Sequence, residues 1–115
     1  MPKFMVLTHD QPVQQAISPE EGQRIMQKYI DWSINLRKRT GVFSAEKLAD
    51  NEGRVLRARG GEVIVTDGPY LESKEVLGGY WMFEAASYDE ALQIVGDHPS
   101  LALGGTLEIR QVDAT

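Results

Sequence analysis

The chain has 115 residues, 42% of them hydrophobic and 25% charged, with no cysteine and a net charge of −5. That size suits one domain with its own core. The acidic balance argues against a nucleic-acid partner, and the lack of cysteine excludes disulfides, thiolate metal sites and thiol catalysis. No apolar run approaches the roughly 18 residues of a membrane span, so no membrane partner is expected. No signal peptide precedes the first strand-like segment, and a cytoplasmic protein is expected.

Residues 3–8 (KFMVLT) form a short apolar run and predict a strand, followed by a polar loop carrying Pro12. Ser18-Pro19-Glu20-Glu21 is a helix start: Ser18 caps, Pro19 loses no bond at the first helical position, and Glu21 completes a capping box. Ile25, Tyr29, Trp32 and Leu36 recur at helical spacing, Met26 and Ile30 widen the stripe, and Arg37-Lys38-Arg39 suit the carbonyl end before Gly41. Residues 42–48 read as a weak strand. Residues 55–59 and 62–66 alternate about Gly60-Gly61, a two-residue hairpin signal. Asp67-Gly68-Pro69 makes a turn, and Gly78-Gly79 introduces an aromatic strand, YWMFEA, over 80–85. Ser87 to Glu90 is a second capping box, opening a helix to Val95 with Leu92 and Val95 inward and Gly96 at its end. His98-Pro99 and Gly104-Gly105 bound a connector before a last alternating strand, 106–112.

Two helices among antiparallel strands in split βαβ order predict a ferredoxin-like α+β sandwich, βαββαβ with an inserted β-hairpin. Phe4 and Val6 face opposite to Met5 and Leu7, and Tyr80 and Met82 face opposite to Trp81 and Phe83. A sheet covered on one side alternates apolar with polar, and these strands do not. The second face therefore needs a cover: a homodimer through the sheet face, or the inserted hairpin folded back over it.

The run from Val65 to Glu75, VTDGPYLESKE, followed by Leu77-Gly78-Gly79-Tyr80, resembles the signature of the DGPF-domain proteins, a branch of the YCII-related family. His98-Pro99 with GGTLEIR over 104–110 is similar to that family's closing segment. The resemblance implies a dimeric α+β barrel. It also implies a His–Asp pair in a cleft, proposed as catalytic for YCII-type members, and some DGPF members occur alongside alternative sigma factors. The acidic residue of the pair falls on Asp97. The helix region near Tyr29 that should carry its histidine has none, so His98 or His9 would have to replace it.

An imidazole beside a carboxylate can act as a general base near neutral pH, which makes His98, Asp97 and His9 candidate catalytic residues. The alternative is that Asp97 or His98 only caps the connector while His9 is solvated. No ligand spacing supports a metal site from His9, Asp10 and His98, and no cofactor motif is present. Asp67, Tyr70, Glu72 and Lys74 are candidate ligand-binding residues, because a polar loop leading into an aromatic strand can line a pocket. The alternative there is a tight turn with a solvated rim. Arg54, Arg57 and Arg59 with Lys47 make the hairpin region basic, to meet an anion or to pair with nearby carboxylates. Two functions remain open: a cofactor-free small-molecule enzyme with a His/Asp acid–base cleft, or a non-catalytic metabolite-binding or regulatory module acting through a protein partner.

Overall fold

A computed structural model describes residues 1–10, 18–50, 52–68 and 76–114. The elements are β1 (Lys3–Asp10), α1 (Pro19–Arg39), β2 (Val42–Lys47), β3 (Arg54–Arg59), β4 (Glu62–Asp67), β5 (Val76–Glu84), α2 (Tyr88–Val95), α3 (Pro99–Ala102) and β6 (Thr106–Gln111).

The caps read from the sequence form. Ser18 Oγ accepts from the Glu21 amide at 3.1 Å and Ser87 Oγ from the Glu90 amide at 3.2 Å, each satisfying an amide that its helix leaves unpaired. Gly60 and Gly61 both take positive φ, 59° and 81°, as a tight turn matched to strand twist demands. Helix α1 is capped at its C-terminus by Thr40, one residue before Gly41, and Thr40 Oγ1 donates to the Glu84 carbonyl. Gly96 caps α2 in an ordinary right-handed conformation, so no special freedom is used there.

Four strands make one antiparallel sheet in the order β2-β5-β1-β6, the arrangement of a ferredoxin-like α+β fold. Phe4, Val6, Trp81, Phe83 and Ala85 point to one face and meet Trp32 and Leu36 of α1 with Ala91 and Val95 of α2. Leu92, expected inward, is 52% exposed; Ala91 and Val95 fill the α2 contact, and Ile94 packs at its margin.

The opposite face carries Met5, Leu7, Tyr80 and Met82, all half-buried, with no helix of the described residues over them. The hairpin β3–β4 is a separate two-stranded sheet. It does not fold back over that face, because its apolar side chains stay exposed. Among the described residues, no helix is long and apolar enough to cross a membrane.

Candidate functional site

An apolar cleft of about 660 Å³ runs between α1 and the helix-facing side of the sheet. One wall is the α1 stripe Ile25, Met26, Ile30 and Ile34, where Met26, Ile30 and Ile34 remain 44–48% exposed. The floor is Ala45, Gly79 and Trp81. Polar groups also line it: Thr8 and Asp10 from β1, Tyr29, Ser33 and Arg37 from α1, Glu46 and Lys47 from β2, and Asp50 beyond it.

The end of β1 is built around a bulge. Thr8 pairs with Gly79 but His9 pairs with Leu77, so Gly78 is an extra residue on β5. A bulge of this kind re-aims neighbouring side chains. A Cβ on Gly78 would fall on Asp10 Oδ2, and one on Gly105 would lie 3.1 Å from Asp10 Oδ1. The Asp10 carboxyl thus occupies a niche that exists because two side chains are missing. Burial there raises its pKa, countered in part by a bond from Ser100; Asp50 adds to the rise, and Lys47 and His9 oppose it. Ser100, fully buried, also bonds Tyr29 Oη at 2.9 Å, and burial raises the Tyr29 pKa too. Asp10, Ser100 and Tyr29 form one hydrogen-bonded row from the strand end to the cleft wall.

Gly79 has a different duty. Its Cβ would sit 2.7 Å from the Glu46 carbonyl oxygen, a backbone atom. Gly79→Ala is therefore expected to force β2 from β5 at a cost of about 1–3 kcal/mol. Gly78→Ala displaces only the movable Asp10 side chain and keeps stability within about 1 kcal/mol. Thermal unfolding of the two variants checks the contrast, and equal losses would refute it.

The histidines fall on different sides of the sheet. His9 Nε2 lies 3.0 Å from Glu108 Oε1, partly exposed, on the face away from the helices. His98 is 2% exposed, its ring packed against Trp32, Trp81 and Tyr29 at centroid distances of 4.4, 4.7 and 5.7 Å. Its Nδ1 accepts from the Ser100 amide at 3.0 Å, which makes it the N-cap of α3. Burial pushes its pKa down to about 4, against the opposing charge of Asp97. Asp97 is no hydrogen-bonded partner of that ring. It accepts from Trp32 Nε1 at 2.9 Å and Arg39 at 3.2 Å; burial pushes its pKa up, but these two partners hold it below the usual range.

His98 and His9 are thus not brought together, neither ring bonds Asp97, and Asp67 lies apart from both on the hairpin. Asp67 ends β4 with its side chain 91% exposed, 3.5 Å from Arg54. Tyr70, Glu72 and Lys74 lie outside the described residues. No three metal-ligating side chains converge among the described residues. Sequence reasoning passed over Asp10 as the centre of a site, and Ser100 and Tyr29 as its neighbours. The signal was the Gly78-Gly79 pair, whose meaning needs the β1–β5 register to be known.

The family model described as "YCII-related domain" matches residues 2–114. An uncharacterised protein of Rhizobium meliloti (strain 1021) is 36% identical over 110 residues, covering 89% of this chain and 84% of its own length. Among solved structures, the fold is similar to 5-chloro-2-hydroxyhydroquinone dehydrochlorinase (TftG) from Burkholderia phenoliruptrix AC1100, in complex with 2,5-dihydroxybenzoquinone. That match has a TM-score of 0.53 and 17% identity, and covers 98% of this chain and 95% of the other.

Proposed function

The chain belongs to the YCII-related family, and on that premise we propose that it is a small-molecule enzyme whose acid–base group is Asp10. The observation that carries the reading is a half-buried carboxyl of raised proton affinity lining a largely apolar cleft. Such a carboxylate is a stronger base than an exposed one, and its conjugate acid is present closer to neutral pH. Ser100 fixes its orientation and Tyr29 fixes Ser100. The apolar walls suit a ring-sized substrate with one ionisable or enolisable edge turned toward Asp10. The fold's likeness to a dehydrochlorinase supports a small-molecule reaction, and at 17% identity it transfers no residue.

In this reading His98 backs the cleft through Tyr29 and Trp81 rather than touching substrate. Tyr70, Glu72 and Lys74 precede Val76, the register partner of Asp10, and stay in the proposal as ligand contacts on sequence grounds. The chain pairs with a second copy through the face bearing Met5, Leu7, Tyr80 and Met82. The flat outline, 46 × 44 × 19 Å, supports a missing layer there.

A second reading is a metabolite-binding or regulatory module without turnover. It is favoured by the commitment of Asp97 to Trp32 and Arg39 and of His98 to a helix cap.

Trp81 lines the cleft and reports occupancy by its fluorescence, so a library of small cyclic acids, phenols and quinones can be screened for binding and turnover. With a substrate in hand, Asp10→Asn is expected to hold affinity within a few fold while turnover falls about 10²- to 10⁴-fold. Unchanged turnover in that variant would remove Asp10 from the chemistry. Binding without turnover of any compound would favour the module.

A further inference from the structure

Among the described residues, the hairpin β3–β4 is a surface without a cover. The two strands pair only with each other, closed at the foot by the Gly68 amide donating to the Gly53 carbonyl at 2.9 Å. Residues directly opposite in such a ladder share a face. Arg54 and Asp67, Leu56 and Val65, and Ala58 and Val63 therefore lie on one side. Beyond the Arg54–Asp67 ion pair, that side is wholly aliphatic, and Leu56, Val63 and Val65 are 65%, 66% and 58% exposed. The other side bears Arg57, Arg59, Glu62 and Thr66 with Val55 and Ile64. One greasy face and one largely polar face is the pattern of a sheet packed on one side. A lone two-stranded hairpin is marginal in water at best.

We propose that this hairpin is an arm whose Leu56–Val63–Val65 face docks on a second copy of the chain. The inference rests on the pairing through the sheet proposed above and adds a second contact to it. The area needed points to the same occupant. A stable dimer takes roughly 800 Å² from each partner. The outer sheet face offers Met5, Leu7, Tyr80 and Met82, already half-covered by their own neighbours, with Leu77, 44% exposed opposite His9, edged by Glu84, Glu108 and Arg110. Two arms related by the two-fold axis add six aliphatic side chains that are more than half exposed in the single chain. The radius of gyration, 16.1 Å, exceeds the roughly 13 Å of a compact chain of this length, as a projecting arm requires.

The chain has no cysteine, so one introduced thiol labels cleanly. Sedimentation velocity across a concentration series should find dimer for the unmodified chain. Leu56→Asp/Val65→Asp should weaken self-association by at least about tenfold, with the far-ultraviolet circular dichroism unchanged. Maleimide labelling of Val65→Cys should slow several-fold once dimer forms, while Thr66→Cys, on the other face, keeps its rate. A dimer insensitive to the arm variant, with Val65→Cys labelled equally fast at all concentrations, would overturn the arm and leave the sheet contact standing. Dissociation in the arm variant with Met82→Glu still dimeric would support the arm and retire the sheet contact. A monomer at every concentration would retire both.

Discussion

Lowering the pH from 7 to 4 is expected to cost the folded protein about 3 kcal/mol through His98 alone, a loss that His98→Asn escapes. The ring is 2% exposed, sits between Tyr29, Trp32 and Trp81, and spends its Nδ1 lone pair on the Ser100 amide. Its Nε2 has no hydrogen-bond partner among the described residues. Burial holds the folded pKa at about 4, against 6.5 in a free chain. Between those values the unfolded chain binds the proton and the folded chain does not, so stability is full above about pH 6.5. It falls as the pH drops toward 4. Asp10, with its raised pKa, works in the opposite direction, and Asp97, with its lowered pKa, adds to the acid loss at still lower pH. Asparagine keeps a cap acceptor and removes the titration. Urea unfolding of both proteins at pH 7, 5.5 and 4 isolates the histidine as the difference between two slopes; parallel slopes would refute the assignment.

Phe83→Ala is expected to cost about 3–5 kcal/mol, the range for emptying a packed aromatic site. Phe83 is fully buried, opposite Phe4 in register with ring centroids 6.4 Å apart, and beside Val42 of β2. Met82, one residue earlier, opposes Met5 on the outer face and is only half-buried. Truncating it to alanine should cost less, and the loss should grow with protein concentration, because in the proposed dimer the missing contact is between chains. The Phe83 loss should not depend on concentration. Two adjacent apolar residues would then differ not in chemistry but in which molecule completes their surroundings. A large, concentration-independent loss at Met82 would argue that its own chain already satisfies that face.

These two residues also mark where the sequence was legible. Alternation in YWMFEA and FMVL sorts side chains into two faces without coordinates, and the caps at Ser18 and Ser87 place both long helices. Local signals of this kind act within a few residues. The Asp10 end of the cleft depends on longer reach. Asp10 gains its niche from Gly78 and Gly105, and its hydrogen bond from Ser100, ninety positions away. Nothing local distinguishes Asp10 from an ordinary strand-end carboxylate. His98 and Asp97 misled for the converse reason. A histidine next to an aspartate looks like a dyad in one dimension, while the start of α3 turns the ring inward and Asp97 answers Trp32 and Arg39. The short helix α3 itself was read only as a connector. The hairpin turn was plain from Gly60-Gly61, but whether the hairpin lies on its own sheet or projects from it is a tertiary matter that no turn residue encodes.

The bulge at Gly78 has one more consequence. Asp10 draws its raised proton affinity first from partial burial, and only secondarily from the charge of Asp50. Mobile ions screen charges that face solvent and have little purchase on a desolvated niche. The surface pairs Arg24–Glu21 and Lys47–Asp50 will weaken in brine. The proton affinity of the strand-end carboxyl, raised first by burial beside a skipped rung in the ladder, should therefore respond less to added salt than those surface pairs do.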